Sequence, residues 1–312
     1  MSIPTAIPSL EVLYHHWPKY QEFPECKGKD FEVALDTSTE EGFWDFMKER
    51  MNIWHRRNSG LPAPWTEDEV IQKYRFTNIY RELDWQTQVW HTWLKQFEYN
   101  FDLWFMNMLH CRLVCKPDTI DKVGFLAFSD QLNETRHQAF LDLPSPRSGS
   151  SYNFAQYESM LMGYEGRHDV YYVHVPKVAK ACARVFKSGA DSSIHDMTED
   201  MVIAFEGRMR FILAEVIMDS GYQKPQHVNE FKMFPIGPGA SPMCKELNKK
   251  AKVRQVALTL MSKQPSDFPY LIINGRPVFL TTAAIEQGLC EYRKYKNIKF
   301  DNGRSRPFTP RK

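Results

Sequence analysis

The chain lacks any long apolar run. None of its 312 residues falls in a stretch of roughly 18 uninterrupted apolar positions, which a membrane-spanning helix needs. The opening "MSIPTAIPSLEVLYHHWPKY" has no basic region followed by an apolar one, so no secretory leader is expected. These features read as a soluble, cytoplasmic protein with no membrane partner. Charge of one sign is also missing: 40 Lys and Arg against 38 Asp and Glu leave a net charge of +2. The molecule is no polycation, and any nucleic-acid contact must come from a local patch. The six cysteines include no CxxC pair. In "HCRLVCK", Cys111 and Cys115 stand four apart beside His110, but no second pair completes a zinc site, so buried thiols in a reducing compartment are expected and no metal site is assigned. Also absent are GxxxxGK(S/T), a GxGxxG after a strand, HExxH, GxSxG and the cytidine-deaminase signature. A standard ATP phosphate loop is thereby excluded, and a familiar hydrolase, dehydrogenase or NTPase is disfavoured. There is no internal repeat and no low-complexity tract.

What the chain does have is apolar and aromatic mass: 43% hydrophobic and 14% aromatic residues, enough for a large core. The patterning is mainly α, with a few short strands at most. Residues 1–39 read as an irregular lead-in broken by prolines, 40–300 as a helical domain, with two lobes split near 145–175 as an alternative, and 301–312 as a basic tail. "STEEGFWDFMKERMNIWHRRNSG" is a helix capped by Ser38 or Thr39 and stopped by Gly60. "PWTEDEVIQKYRFTNIYRELDWQTQVW" reads as a second helix, capped by Thr66 and running to about residue 97. "EYNFDLWFMNMLHCRLVC" is apolar all round and reads as a buried helix. "PDTIDKVGFL" begins another, and "HDVYYVHVPKVAKACARVFKSG" reads as a short strand followed by a helix after Pro176. Two helices parted at Gly207, a Gly/Pro turn into a further helix, and a last helix from Thr281 or Thr282 complete the pattern.

In the second helix, Arg75, Asn78, Arg81 and Asp84 follow one another in steps of three, with Tyr74 beside them. Spacing alone favours a solvated face with i,i+3 pairs worth about 0.3–0.5 kcal/mol each. The alternative is an active-site wall: arginines for an anion, an amide for a base edge and a carboxylate for proton transfer. Arg56 and Arg57 end the first helix, where they suit its dipole or meet phosphate. "FEGRMRFILAEVIMDSGY" before "FPIGPGASPM" has the rhythm of a helix-hairpin-helix element whose Gly-rich turn, at Gly237 and Gly239, offers backbone N–H groups to phosphate. "LCEYRKY" sets Glu291 and Lys294 among tyrosines, as an exposed amphipathic face or as part of a site.

Taken together, "FMKERMNIWHRRNSGLPAPWTEDEVIQKYRFTNIYRELD", "GRMRFILAEVIMDSGY…FPIGPGA" and "IEQGLCEYRKY" with its basic tail resemble the phage helical domain linked to 5-hydroxymethyluracil DNA kinases, also called the alpha-glutamyl/putrescinyl thymine pyrophosphorylase group. The resemblance spans about residues 43–310. It implies a helical, helix-hairpin-helix DNA-glycosylase-like fold, but "FPIGPGA" lacks the aspartate that base excision would use. Trp85 also departs from the pattern, where a basic residue is expected. The resemblance implies transfer of an amine or amino acid onto a phosphate-activated 5-hydroxymethyl group of uracil in DNA, with base flipping. The alternatives are a 5-hydroxymethyluracil DNA kinase or its helical partner, and a non-catalytic reader of modified DNA. Implied partners are DNA containing modified thymine, a small amine or amino acid, and a separate P-loop kinase inside an infected host cell; ATP with a divalent metal enters on the kinase reading. The implied roles are anion stabilisation by Arg75 and Arg81, base recognition by Asn78 and proton transfer by Asp84, with Asp219 and Glu291 as further acids. Arg56, Arg57, Trp65, Tyr74, Gly237, Gly239, Lys294, Arg304 and Arg306 are the implied DNA contacts.

Overall fold

The computed structural model describes residues 20–23, 31–149 and 161–301, so Arg304 and Arg306 lie outside the described residues. In chain order the α-helices are α1 (Thr37–Asn58), α2 (Glu69–Lys73), α3 (Trp85–Leu94), α4 (Phe101–Val114), α5 (Pro117–Val123), α6 (Asp130–Leu141), α7 (Val175–Ser188), α8 (Ile194–Val202), α9 (Arg210–Gln223), α10 (Ser241–Leu247), α11 (Val253–Ser262) and α12 (Thr282–Asp301). Two three-residue strands, β1 (Leu271–Ile273) and β2 (Arg276–Val278), pair antiparallel with Leu271 opposite Val278. The architecture is mainly helical, as the patterning predicts. No described helix is long and apolar enough to cross a membrane.

The chain forms two compact units. One holds the described residues of Trp85–Asn229. The other is discontinuous, built from the described residues of Trp17–Asp84 and of Glu230–Lys312.

In the continuous unit α4 is the central element. Trp104, Phe105, Met106, Met108 and Leu109 have no exposed surface, and the helix packs against α3, α7 and α9. A helix apolar on every side is stable only when covered on every side. Its polar residues are therefore satisfied inside: the Asn107 amide donates to Leu126 O at 3.1 Å and accepts from Leu126 N at 2.7 Å. The helix ends at Cys115, in the left-handed region at φ 51°, and Pro117 opens α5 at a position where its missing N–H costs nothing. The short strand expected before Pro176 is absent. A helical turn, Arg167–Asp169, passes into a π turn, Val170–His174, which runs directly into α7. Burial of Val170, Tyr171 and Tyr172 among helices overrides their strand propensity.

In the discontinuous unit, α1 is capped by Asp36, whose Oδ1 accepts from Thr39 N at 2.9 Å, two or three residues earlier than expected. Its apolar face (Phe43, Phe46, Met47, Met51) packs against α12, which contributes Ile285, Leu289 and Tyr292. The strand hairpin turns at Asn274 and Gly275, both with positive φ, the geometry an Asn-Gly pair adopts at low cost. The described cysteines are free thiols, with Cys111, Cys115, Cys182 and Cys244 buried.

Candidate functional site

The long second helix expected from a Thr66 cap to about residue 97 does not form. Asp68, not Thr66, is the cap, accepting from Val70 N and Ile71 N at 2.9 and 3.0 Å, and α2 lasts only to Lys73. Tyr74 then turns the backbone extended, at φ −114° and ψ 150°. The run "YRFTNIY" explains the change: aromatic and β-branched residues favour extended backbone, and Phe76, Ile79 and Tyr80 bury their side chains along it. The Tyr80 hydroxyl donates to Val278 O at 2.6 Å and accepts from Leu271 N, which locks the segment to the β1–β2 hairpin. A 3-10 turn, Arg81–Leu83, leads to Asp84. Arg75, Asn78, Arg81 and Asp84 are thus not a helical face.

The extended segment exposes backbone groups that helix bonding would have used, and charged side chains take them over. Arg50 Nη2, from α1, donates to Phe76 O at 3.3 Å and Thr77 O at 3.1 Å. Glu291 accepts from Thr77 N at 3.2 Å, and Lys294 donates to Arg75 O. Lys294 also bonds Glu291 at 3.3 Å and lies 4.6 Å from the centroid of the Phe76 ring. Lys294, an expected DNA contact, makes these bonds with a third of its side chain exposed. Burial lowers the Arg50 pKa, while Glu291 and Asp84, whose charges it feels, raise it. Arg50 is absent from the residues singled out in the sequence; its reach to residues 76 and 77 depends on the extended segment.

Three of the four predicted polar residues still meet, through the loop instead of through helical spacing. Asn78 Nδ2 donates to Leu83 O at 2.9 Å and to Asp84 Oδ1 at 3.3 Å, and Arg81 Nη1 donates to Asp84 Oδ2 at 3.4 Å. Each carboxylate oxygen thus has a donor, and the Asp84 side chain keeps 25% of its surface exposed. Arg75, the fourth, is exposed, and its backbone O accepts from Lys294. This arrangement can accept a proton at Asp84 and offer the Arg81 guanidinium to an anion.

The other predicted residues are distributed as follows. Asp219 belongs to the continuous unit and is fully buried, gripped by Arg112. The Gly237 N–H, expected to face a phosphate, donates to Glu286 Oε1 at 3.0 Å. Gly239 allows close approach to α12, since a Cβ there would lie 2.3 Å from Cys290 Sγ. Residues 224–240 link α9 to α10, and the two helices fall in different units. Trp65 is half-buried with its Nε1 on Leu61 O at 2.7 Å, and the Arg57 guanidinium lies over its ring at 5.7 Å. Arg56 bonds Glu49 Oε1 and Trp65 O, and Tyr74 is half-buried beside Lys73. Glu49, Arg56, Pro64, Trp65, Thr66, Glu67 and Asp68 line an open cleft of about 560 Å³. Three carboxylates against one already paired guanidinium do not fit a nucleoside triphosphate, so no ATP chemistry is assigned there.

The family described as "5-hmdU DNA kinase, helical domain" matches residues 37–305. A "5-hmdU DNA kinase" of Bacillus phage SP10 is 33% identical over 121 residues, covering 36% of this chain and 18% of that protein. The chain thus matches less than a fifth of that relative's length. No solved structure matches.

Proposed function

The chain belongs to the family of 5-hmdU DNA kinase helical domains, and from that premise we propose that it performs group transfer at the 5-hydroxymethyl position of uracil in DNA, as part of thymine hypermodification. The carrying observation is Asp84, a partly exposed carboxylate held by Asn78 and Arg81. In the reaction we favour, an amine or amino acid attacks the methylene carbon of the phosphate-activated group. A C–N bond forms, and the C–O bond breaks with its electron pair leaving on the phosphate. Arg81 and Arg75 stabilise that departing anion. Asp84 takes the proton released by the new ammonium. The Asn78 amide nitrogen is committed to Leu83 and Asp84, which orients its carbonyl oxygen to accept from the uracil ring N–H. The base reaches these groups by flipping out of the duplex.

A second reading is favoured by the name of the phage relative: the chain is the helical partner of a kinase, presenting the hydroxymethyl group while another domain supplies the phosphoryl donor. Asp84 would then accept the hydroxyl proton as oxygen attacks phosphorus. Nucleoside mass spectrometry separates the two. The protein is incubated with 5-hydroxymethyluracil DNA with and without ATP, and with phosphorylated DNA plus an amine pool. An amine adduct with loss of phosphate is expected. A phosphate-sized gain with ATP favours the kinase reading instead. No change under any condition, with DNA binding retained, leaves only a reader of modified DNA.

A further inference from the structure

Far along the chain from Asp84, in the continuous unit, α6 and the helical turn before the π turn bring three ligand-type side chains together. His137 Nε2 lies 2.9 Å from His168 Nδ1 and 3.7 Å from Asp169 Oδ1, and His168 Nδ1 lies 3.3 Å from the same oxygen. We propose that His137, His168 and Asp169 bind a divalent first-row transition-metal ion, zinc first among them, with a coordination position left open.

The geometry fits an ion. A triangle with these edges has a point about 2.0–2.1 Å from all three corners, the length of zinc–imidazole and zinc–carboxylate bonds. The donor set of two imidazoles and a carboxylate suits zinc, iron or manganese, and three protein ligands leave room for water or substrate. The side chains remain 17% (His137), 30% (His168) and 19% (Asp169) exposed, so an ion can enter.

The surroundings orient each ligand as metal sites require. Asp169 Oδ2 accepts from Gly166 N at 3.1 Å, which leaves Oδ1 for the centre. The His137 ring stacks on buried Tyr172 at 5.2 Å and 11°. The His168 ring lies against Gly166, where any Cβ would come within 2.5 Å of Nε2, so only glycine lets the ring take this position. Both His168 and Asp169 directly precede the π turn Val170–His174, an irregularity frequent at functional sites.

The competing account is a hydrogen-bonded cluster in which one proton bridges the two imidazoles. It predicts no metal affinity. The full chain, stripped with chelator, is titrated with zinc chloride by calorimetry and with cobalt chloride by visible absorption. We expect one equivalent of zinc, cobalt d–d bands that zinc abolishes, and a raised Tm at saturating metal. His137→Gln, His168→Gln and Asp169→Asn should each weaken zinc binding by about tenfold or more. Asp169→Asn keeps volume and backbone contact, so it decides the matter if a histidine variant fails to fold. Absence of saturable binding, or binding that Asp169→Asn and His168→Gln leave unchanged, overturns the proposal.

Discussion

Arg112 holds Asp219 with two nitrogens, Nε to Oδ2 and Nη2 to Oδ1, each at 2.6 Å, in a site with essentially no solvent access. Thr87 Oγ1 accepts from Arg112 Nη2 at 3.1 Å, and His91 Nε2 stands 3.2 Å from Asp219 Oδ1. This cluster ties α3, α4 and α9 together at their centre.

Breaking one side of such a pair strands a buried charge, which costs about 3–5 kcal/mol. Asp219→Asn should therefore lower stability by that order, measured by urea denaturation. A variant as stable as the parent but inactive would return Asp219 to the list of proton-transfer acids.

Acid sensitivity has two sources in the same unit. Burial pushes the His110 imidazole down to about 3, and neither ring nitrogen has a hydrogen-bond partner among the described residues. Unfolded histidine titrates near ~6.5. Between those values the unfolded chain binds the extra proton, so this contribution is full above about pH 6.5 and is lost as pH falls toward 3. Burial also pushes the Asp219 carboxyl up, but Arg112 and His91 outweigh it and hold it below the usual carboxylate range. Its contribution is present above the unfolded value near ~3.9 and is lost as pH falls through the folded one. Denaturant midpoints should drop from pH 7.5 to 5, and His110→Phe should flatten that limb. An unchanged slope in His110→Phe would sink the assignment.

Asp84 is partly exposed and its pair with Arg81 is worth about 1 kcal/mol or less. Asp84→Asn should leave Tm nearly unchanged while lowering kcat by about a hundred- to ten-thousand-fold. Arg75→Ala and Arg81→Ala should slow turnover while DNA binding persists. A loss of binding equal to the loss of rate would favour a reader instead of an enzyme.

Gly239→Ala drives a methyl into Cys290 Sγ, 2.3 Å from the ideal Cβ position. Overpacking of this kind costs about 1–3 kcal/mol. Cys290→Ala in the same chain should recover most of it, and a double-mutant cycle by thermal unfolding reads the coupling. Additive losses would show that Gly239 serves its own backbone and not the contact.

Much of the helical pattern is legible before any coordinates. The all-apolar run from Phe101 to Val114 leaves no other solution than a buried helix, and Gly207 parts α8 from α9 as composition suggests. The site was legible by residue and illegible by geometry. Asn78, Arg81 and Asp84 do converge, but through an extended loop whose buried Ile79 and Tyr80, three and four residues after buried Phe76, mimic helical patterning. Two signals were present and unused: Ser129, which caps α6 by accepting from Leu132 N, and Asn274-Gly275, which marks the hairpin. The His137, His168 and Asp169 cluster had no sequence signal, since the spacing from residue 137 to 168 matches no metal motif.

The unit boundaries at Asp84 and Asn229 also set an order of events during synthesis. The first half of the discontinuous unit, with α1 and the Asn78–Arg81–Asp84 loop, leaves the ribosome about 145 residues before Glu230. At roughly 5–20 residues per second the wait is on the order of ten seconds. Throughout it Phe43, Phe46 and Met47 have no α12 to cover them, and Thr77 has no Glu291. The continuous unit, by contrast, can close as soon as α9 emerges. A nascent chain from which α9 has emerged but α12 has not should therefore carry one folded unit and one exposed apolar helix, the form in which a chaperone would first meet this protein.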